Sequence, residues 1–387
     1  MKRYLAILLI LTFAATHPVA AQLPNGRRLL IPIKVDSLWG FCDTAENMII
    51  PARFSHVSPF TDGLAAFTQR TPAGYRSGLI DTAGRTVLPA EYDFVSPDDL
   101  GYVNLEKDSI PMRRLPSGRI FAPKGYRIDT RFSPGLYIAN DQHRHLGVID
   151  TNQRVVVPFH FRSIGSLDDK GYARAEDMKG RSGFIDRTGK FIFSFPQKSK
   201  LRIWSEFYND RAILAKQIEQ DIYLKGFIDR RGNIVIPVIY EDVQQFSEGF
   251  CGAKGEQGWG FLNTRGDTIL PLIYSGTGPF RYGRGSFSKG ASGGLIDTTG
   301  KQIFYYWEGN LEVLDSNLVR VEKEDVDLTH HGFGNPPTYG LIDINGHEIL
   351  PPLYQLIGNP ANGLFRIYEK YDRYFYMDMR HHAYRPK

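Results

Sequence analysis

The sequence predicts an all-β chain, a tandem array of about ten three-stranded antiparallel β repeats, and three observations carry that prediction. The first is a recurring signature: Gly40, Gly78, Gly147, Gly183, Gly226, Gly260, Gly294 and Gly340 are each followed by two apolar or sulfur side chains and then Asp, or Asn at Asn263. The second is a proline followed three residues later by an aromatic ring, as in Pro51/Phe54, Pro89/Tyr92, Pro158/Phe161, Pro237/Tyr240, Pro271/Tyr274 and Pro351/Tyr354. The third is that no i, i+3, i+4, i+7 apolar pattern is sustained beyond the first 21 residues; only Arg211 to Leu224 comes near.

Two degenerate copies, one near Met112 with Gly118 and one at Phe375 to Asp378, fill the gaps between the clear ones. Units then start near 40, 78, 112, 147, 183, 226, 260, 294, 340 and 375, a period of about 35 residues. In the second unit Gly78-Leu79-Ile80 reads as a short strand. Asp81 to Gly84 reads as a turn that the aspartate caps and the glycine closes in the left-handed region. Thr86 to Leu88 is the returning strand, which Pro89 is expected to stop for want of an N–H, and Tyr92 is expected in the core. A loop of about ten residues follows, often with Phe and then Gly, as at Phe60 to Gly63 and Phe246 to Gly249. It leads to a third strand such as Leu64 to Phe67, and a polar turn such as Lys254 to Gly258 returns the chain to the next signature.

Such units either stack as an open or curved superhelical array or close like propeller blades. The open array is the expectation, because propellers usually have roughly four to eight blades of four strands; β-propeller-like ring(s) are the alternative. Leu29 to Val35 and Tyr374 to Met379 read as end pieces that cap or close the array. An open array would let residues 255–387 fold alone.

Residues 1–21 carry Lys2 and Arg3, an apolar run from Tyr4 to Ala15, and Val19 and Ala21 at the −3 and −1 positions of a cleavage site. This reads as a signal peptide, with residues 22–387 as the mature β-repeat domain, exported to the periplasm, cell surface or medium. The run is too short for the roughly 20 residues that a bilayer-spanning helix needs. Of 47 basic and 42 acidic residues, 45 and 42 remain without Lys2 and Arg3. They are interspersed, which argues against a nucleic-acid partner and an anionic membrane partner. Cys42 and Cys251 lie far apart in strand-like stretches and are expected as buried free thiols, with a disulfide as the alternative.

Trp39-Gly40-Phe41 with Asp43, and Trp259-Gly260-Phe261 with Asn263, together with the Ile-Pro-x-x-Tyr and Phe-x-x-Gly-Leu elements, resemble the WG-repeat (KWG-repeat) family of bacterial proteins over residues 30–380. The resemblance implies a repetitive β scaffold with no assigned chemistry. The chain departs from the pattern where Ser77, Leu146, Ser182, Lys225, Gly293 and Tyr339 stand at the tryptophan position. Glu46 and Gln153 stand at the turn glycine.

No motif points to catalysis, a cofactor or a metal. Gly290-Ala291-Ser292-Gly293-Gly294 matches the serine-elbow pattern, but a repeat signature follows where a helix is required. Gly183 to Lys190 has five rather than four residues between its glycines, so it is a repeat turn and not a phosphate loop. The recurring aspartates read as turn caps, and His143, His145, His330, His331, His381 and His382 lack metal spacing. Two places exceed the period: residues 194–225, and Glu322 to Tyr339 with its acidic residues and His330-His331. Insertions of this kind map to loops where function is borne. The expected role is a non-enzymatic binding or scaffold module for protein or cell-envelope glycan, with Trp204, Tyr305, Tyr306 and Trp307 able to stack on sugars. The alternative is a hydrolase whose site is assembled from loops of several repeats.

Overall fold

A computed structural model describes residues 29–98, 101–122, 124–307, 309–323, 336–370 and 373–386. Residues 1–28, with the expected signal peptide, the third unit's 99–100 and the acidic His330-His331 stretch lie outside the described residues. The described chain is all strand and turn, apart from one 3-10 turn at Gln197–Ser199. It forms nine antiparallel sheets in which strands pair strictly in sequence order. Eight of these are separate units. The seven-stranded sheet holds two, because Val155–Ile164 serves as the last strand of one and the first of the next. Ten units result, numbered 1 to 10 along the chain, and both degenerate copies are real strands, Ile110–Arg114 in unit 3 and Arg373–Asp378 in unit 10.

The units have four strands, not three. The loop after each proline–aromatic step contributes a short first strand, such as His56–Val57 in unit 2 or Asp242–Val243 in unit 7, which pairs with the strand that follows. The signature strand is therefore third in its sheet. In unit 2 the order is His56–Val57, Leu64–Thr71, Gly74–Asp81, Thr86–Tyr92. Among the described residues unit 1 starts at its second strand, Ile31–Val35, followed by Leu38–Cys42 and Met48–Phe54.

The fourth strand does not stop at its proline but runs through it, as Thr86–Tyr92 and Met48–Phe54 do. The pairing with the third strand slips at this point, between Trp39/Phe54 and Phe41/Ile50 in unit 1 and between Trp259/Tyr274 and Phe261/Leu270 in unit 7. Proline is tolerated at such a bulge because no ladder N–H is needed there. The bulged backbone crosses directly over the signature glycine. A Cβ at Gly40 would lie 2.4 Å from the Ile50 carbonyl oxygen, and one at Gly260 2.3 Å from that of Leu270. Glycine and proline thus recur as the two halves of one contact. The aromatic three residues on faces the residue before the glycine; Phe54, Tyr92 and Phe161 are buried, while Tyr240, Tyr274 and Tyr354 are half-buried.

The array is closed, which corrects the expectation of an open stack in favour of its propeller-like alternative. Apolar clusters join each unit to the next, and one cluster combines Ile31, Trp39 and Phe41 of unit 1 and Phe67 of unit 2 with Leu364, Tyr376 and Tyr384 of unit 10. Trp39 stacks on Tyr374 with ring centroids 5.3 Å apart, Asn362 donates to the Thr61 hydroxyl at 3.0 Å, and His382 meets Glu46 at 3.4 Å. The physical reason is that each unit buries apolar side chains on both sides. An open end would leave one such face in water, and the two ends cover each other instead.

Candidate functional site

The turn aspartates act as caps. Asp81 Oδ1 accepts the N–H groups of Ala83 and Arg85 at 3.0 Å each, and Asp229, Asp297 and Asp343 make the same two bonds in their own turns. Their carboxylates are occupied by backbone, and the sequence reading of them as turn residues holds. In several units the glycine that closes the turn also rests on the preceding unit: a Cβ at Gly232, where φ is +85°, would lie 2.8 Å from the Phe193 ring. Glu46 and Gln153 take the same left-handed conformation, and Gln153 reaches back to accept the Lys124 N–H at 3.0 Å.

Ser292 of the serine-elbow pattern sits where a hairpin enters its third strand, and its hydroxyl donates to the Trp307 carbonyl at 3.1 Å. Cys42 and Cys251 are both buried, and burial pushes the Cys251 thiol well above its ordinary range. His143 and His145 flank the Asp141 turn, and His381 and His382 form the last one. Among the described residues no three His, Cys, Asp or Glu side chains gather as a metal site would require, and no helix is long and apolar enough to cross a membrane. The excess length at 194–225 is a long hairpin, Ala212–Glu219 with Ile222–Ile228, so the near-helical pattern from Arg211 to Leu224 is strand.

Three clefts open to a ligand lie on units 6 to 9. A cleft of about 660 Å³ opens between the long hairpin of unit 6 and unit 7, lined by Ile218, Ile222, Tyr223 and Trp259, with the Lys254–Glu241 ion pair (2.9 Å) at its edge. Trp204 is half-exposed, 5.2 Å from Tyr223, with the Lys225 ammonium 5.2 Å from its ring. A second cleft of about 330 Å³ lies between units 7 and 8, lined by Tyr274, Lys289, Gln302, Tyr305 and Trp307. Trp259 and Tyr274 oppose each other on adjacent strands of unit 7, so the two clefts adjoin. Trp307 is 77% exposed and packs edge-on to Tyr305 at 4.6 Å, whereas Tyr306 turns inward beside Phe304. Three of the four aromatics named from sequence are thus at the clefts, and the fourth is packing.

A third space, about 460 Å³, lies between units 8 and 9. It exists because glycines, Gly276 in the first strand of unit 8 and Gly278 just after it, stand where side chains could, and Ser286 and Ser288 stand in the second strand in place of larger residues. Across it stand Asn310, whose Oδ1 is buried without a hydrogen-bond partner, and Tyr339, whose hydroxyl meets Glu322 at 3.3 Å. Glu312 is paired with both Arg320 and Arg281. Sequence reading missed this cavity, although the density of Gly and Ser between 275 and 294 was its signal.

Comparison with known proteins returns the family described as WG containing repeat, matched at residues 39–70, 78–106, 147–177, 226–254, 259–291 and 339–371. No curated protein matches the sequence. Among solved structures, a eukaryotic initiation factor superposes with a TM-score of 0.53 at 11% identity, covering 90% of this chain and 98% of that one. BamB from Moraxella catarrhalis reaches 0.32 at 12% identity, covering 69% and 93%, and Hsv2 from Kluyveromyces lactis 0.37 at 9%, covering 66% and 94%. These neighbours are propeller-like β folds, and the likeness to the initiation factor concerns the fold alone.

Proposed function

The chain is a WG-repeat protein, and from that premise we propose that it is an exported, non-enzymatic binding module that holds a cell-envelope glycan along the aromatic clefts of units 6 to 8. A repeat β scaffold of this family is consistent with a binding or scaffold role. The observation that carries the glycan reading is the Trp307–Tyr305 pair: a tryptophan exposed over three-quarters of its surface, braced by a second ring, beside the polar side chains of Lys289 and Gln302. Flat rings take the apolar face of a pyranose while flanking polar groups take its hydroxyls. The adjoining cleft, with Tyr223 and Trp259, continues the platform by more than one sugar, which suits a polymer better than a monosaccharide. Export follows from the sequence of residues 1–21, and the mature chain is expected to start at Gln22, which intact-mass measurement of the exported protein tests.

The binding test is a pull-down of the mature protein on insoluble peptidoglycan and other envelope polysaccharides, repeated with Trp307→Ala. The expected result is retention by one class of glycan and a loss of affinity of about tenfold in the variant, the upper end of the roughly 0.5–1.5 kcal/mol of an aromatic stacking contact. Retention that is equal with and without Trp307, or capture of envelope protein in place of glycan, overturns the glycan reading.

A further inference from the structure

The joint between units 10 and 1 repeats the positions of the joint between units 9 and 10 with one group missing. In unit 9 Leu311 pairs with Val321, and the next pair along is Glu312 with Arg320, whose side chains form an ion pair. Arg281 donates to the same carboxylate at 3.3 Å, and Arg320 also donates to the Ile357 carbonyl in the first strand of unit 10. In unit 10 Ile357 pairs with Ile367, and the next position sets Gly358 opposite Arg366, the Gly358 N–H donating to the Arg366 carbonyl at 2.9 Å. Arg366 therefore stands where Arg320 stands. Glycine replaces the glutamate, and among the described residues unit 1 has no first strand to supply a carbonyl.

The Arg366 guanidinium, half-buried, donates to the hydroxyls of Tyr368 at 3.2 Å and Tyr376 at 3.0 Å and lies 5.1 Å from the Tyr374 ring. Among the described residues its hydrogen-bond partners are these tyrosine hydroxyls, with no carboxylate. Beside it Trp39 stacks on Tyr374 and meets the His56 ring at 6.2 Å, and Lys34 lies opposite Trp39. Burial first, and Arg366 second, lower the pKa of His56, which stays neutral near pH 7 and free to hydrogen-bond. A side chain also fits at this position: a Cβ at Gly358 would meet only the Arg366 carbonyl, at an ordinary 3.5 Å, and Gly358 is not in the left-handed region.

A half-buried guanidinium with no acid is a costly arrangement, and its planar fork fits a carboxylate better than any neutral group. We propose that this seam binds a carboxylate-bearing ligand, whose carboxylate occupies in unit 10 the place that Glu312 occupies in unit 9. The donors are Arg366 and the tyrosine hydroxyls. The proposal stands independently of the aromatic clefts, since it uses none of their residues.

The test is calorimetric titration of the mature protein with acetate, glucuronate, phosphate and glucose. Acetate and glucuronate are expected to bind and glucose is not. Tighter binding of glucuronate than of acetate would assign the carboxylate to an acidic sugar; equal binding would assign it to the carboxylate alone. Arg366→Gln is expected to weaken binding by about tenfold or more. Because that change also alters the seam, Gly358→Glu is the decisive variant. It supplies the missing carboxylate from within, so it should abolish binding while raising the melting temperature. The proposal falls if neither carboxylate binds, if phosphate binds in preference to both, or if Gly358→Glu binds like the unaltered protein.

Discussion

Unit 9 and unit 10 carry an arginine at the same place in the same kind of sheet, yet Arg320 is neutralised by Glu312 and Arg366 is surrounded by tyrosines. The backbone register is the same at the two sites, so the difference lies in what surrounds the guanidinium: glutamate against glycine, Glu322 and Leu341 against Tyr368 and Tyr376, and, among the described residues, a carbonyl of the next sheet at unit 9 alone. What this teaches is that the scaffold and its chemistry are separable. Hairpins, bulges and turn caps set where side chains stand, and single substitutions at a repeated position decide whether that place is filled from inside or left for a ligand.

The comparison presumes a closed ring, and the largest effect should come from opening it. A cut between Lys254 and Trp259 divides the sheet of unit 7, whose strands Phe250–Gly255 and Gly258–Asn263 are paired. Residues 255–387 are therefore expected to be aggregated or unfolded by circular dichroism, while the whole chain melts in one transition and scatters as a compact ring. A soluble β-rich fragment would reinstate the open array and remove the basis for treating units 10 and 1 as neighbours.

Next in size is Gly232→Val, which tests how ordinary joints are made. A β-branched residue at φ +85° strains the turn, and its Cβ would strike Phe193, for a combined loss of about 3 kcal/mol in a denaturant melt. An unchanged midpoint would mean that turn glycines do not fix the joints.

Glu312→Gln addresses the comparison itself. It leaves Arg320 and Arg281 without their carboxylate and makes unit 9 resemble unit 10; a loss of about 1–2 kcal/mol is expected, limited by the partial exposure of the pair. A neutral result would indicate that an arginine at this position needs no acid, and would weaken the case for a ligand at Arg366.

Acid should act on several units at once and is the mildest probe. The His347 side chain, by its hydrogen bond, holds Asp343 down to about 2; a side-chain bond from Thr299 lowers Asp297, and one from Lys170 lowers Asp210. Carboxyls depressed below their ordinary 3.8 in the folded state contribute stability that is present above that value and is lost as pH falls through the folded pKa. The melting temperature is thus expected to be level above about pH 5 and to drop between about pH 4 and 2. A drop that begins near neutrality would implicate a buried histidine whose folded pKa is lowered, as His56 is by burial.

Much of this molecule was legible because its period is local. A turn needs Asp and Gly at fixed offsets, a bulge needs Gly beneath Pro, and both leave a mark every time they recur. The short first strands were not legible: His56–Val57, Asp242–Val243 and Gly276–Thr277 are two residues long and share no composition, and only pairing to the next strand defines them. Closure was hidden for a different reason, since the contacts of Trp39 with Tyr374 and of Asn362 with Thr61 join opposite ends of the chain and obey no period. The cavity between units 8 and 9 was visible as a run of Gly and Ser, but a run of small residues reads equally well as turn. Arg366 drew no notice because its meaning depends on Glu312, a residue of a different repeat.

The phase between repeat and sheet has a consequence for how such a chain changes over generations. Each sequence repeat gives its first two strands to one sheet and its last two to the sheet beside it, so the unit that a gene would duplicate straddles two sheets. Unequal crossover between neighbouring copies then adds or deletes one repeat and still leaves every sheet with four strands. The number of sheets can drift while each stays whole, and the disturbance is shared around the circle as a small change of angle at every joint. Selection on length falls chiefly on the place where first and last strands must still meet, at Trp39 and Tyr374.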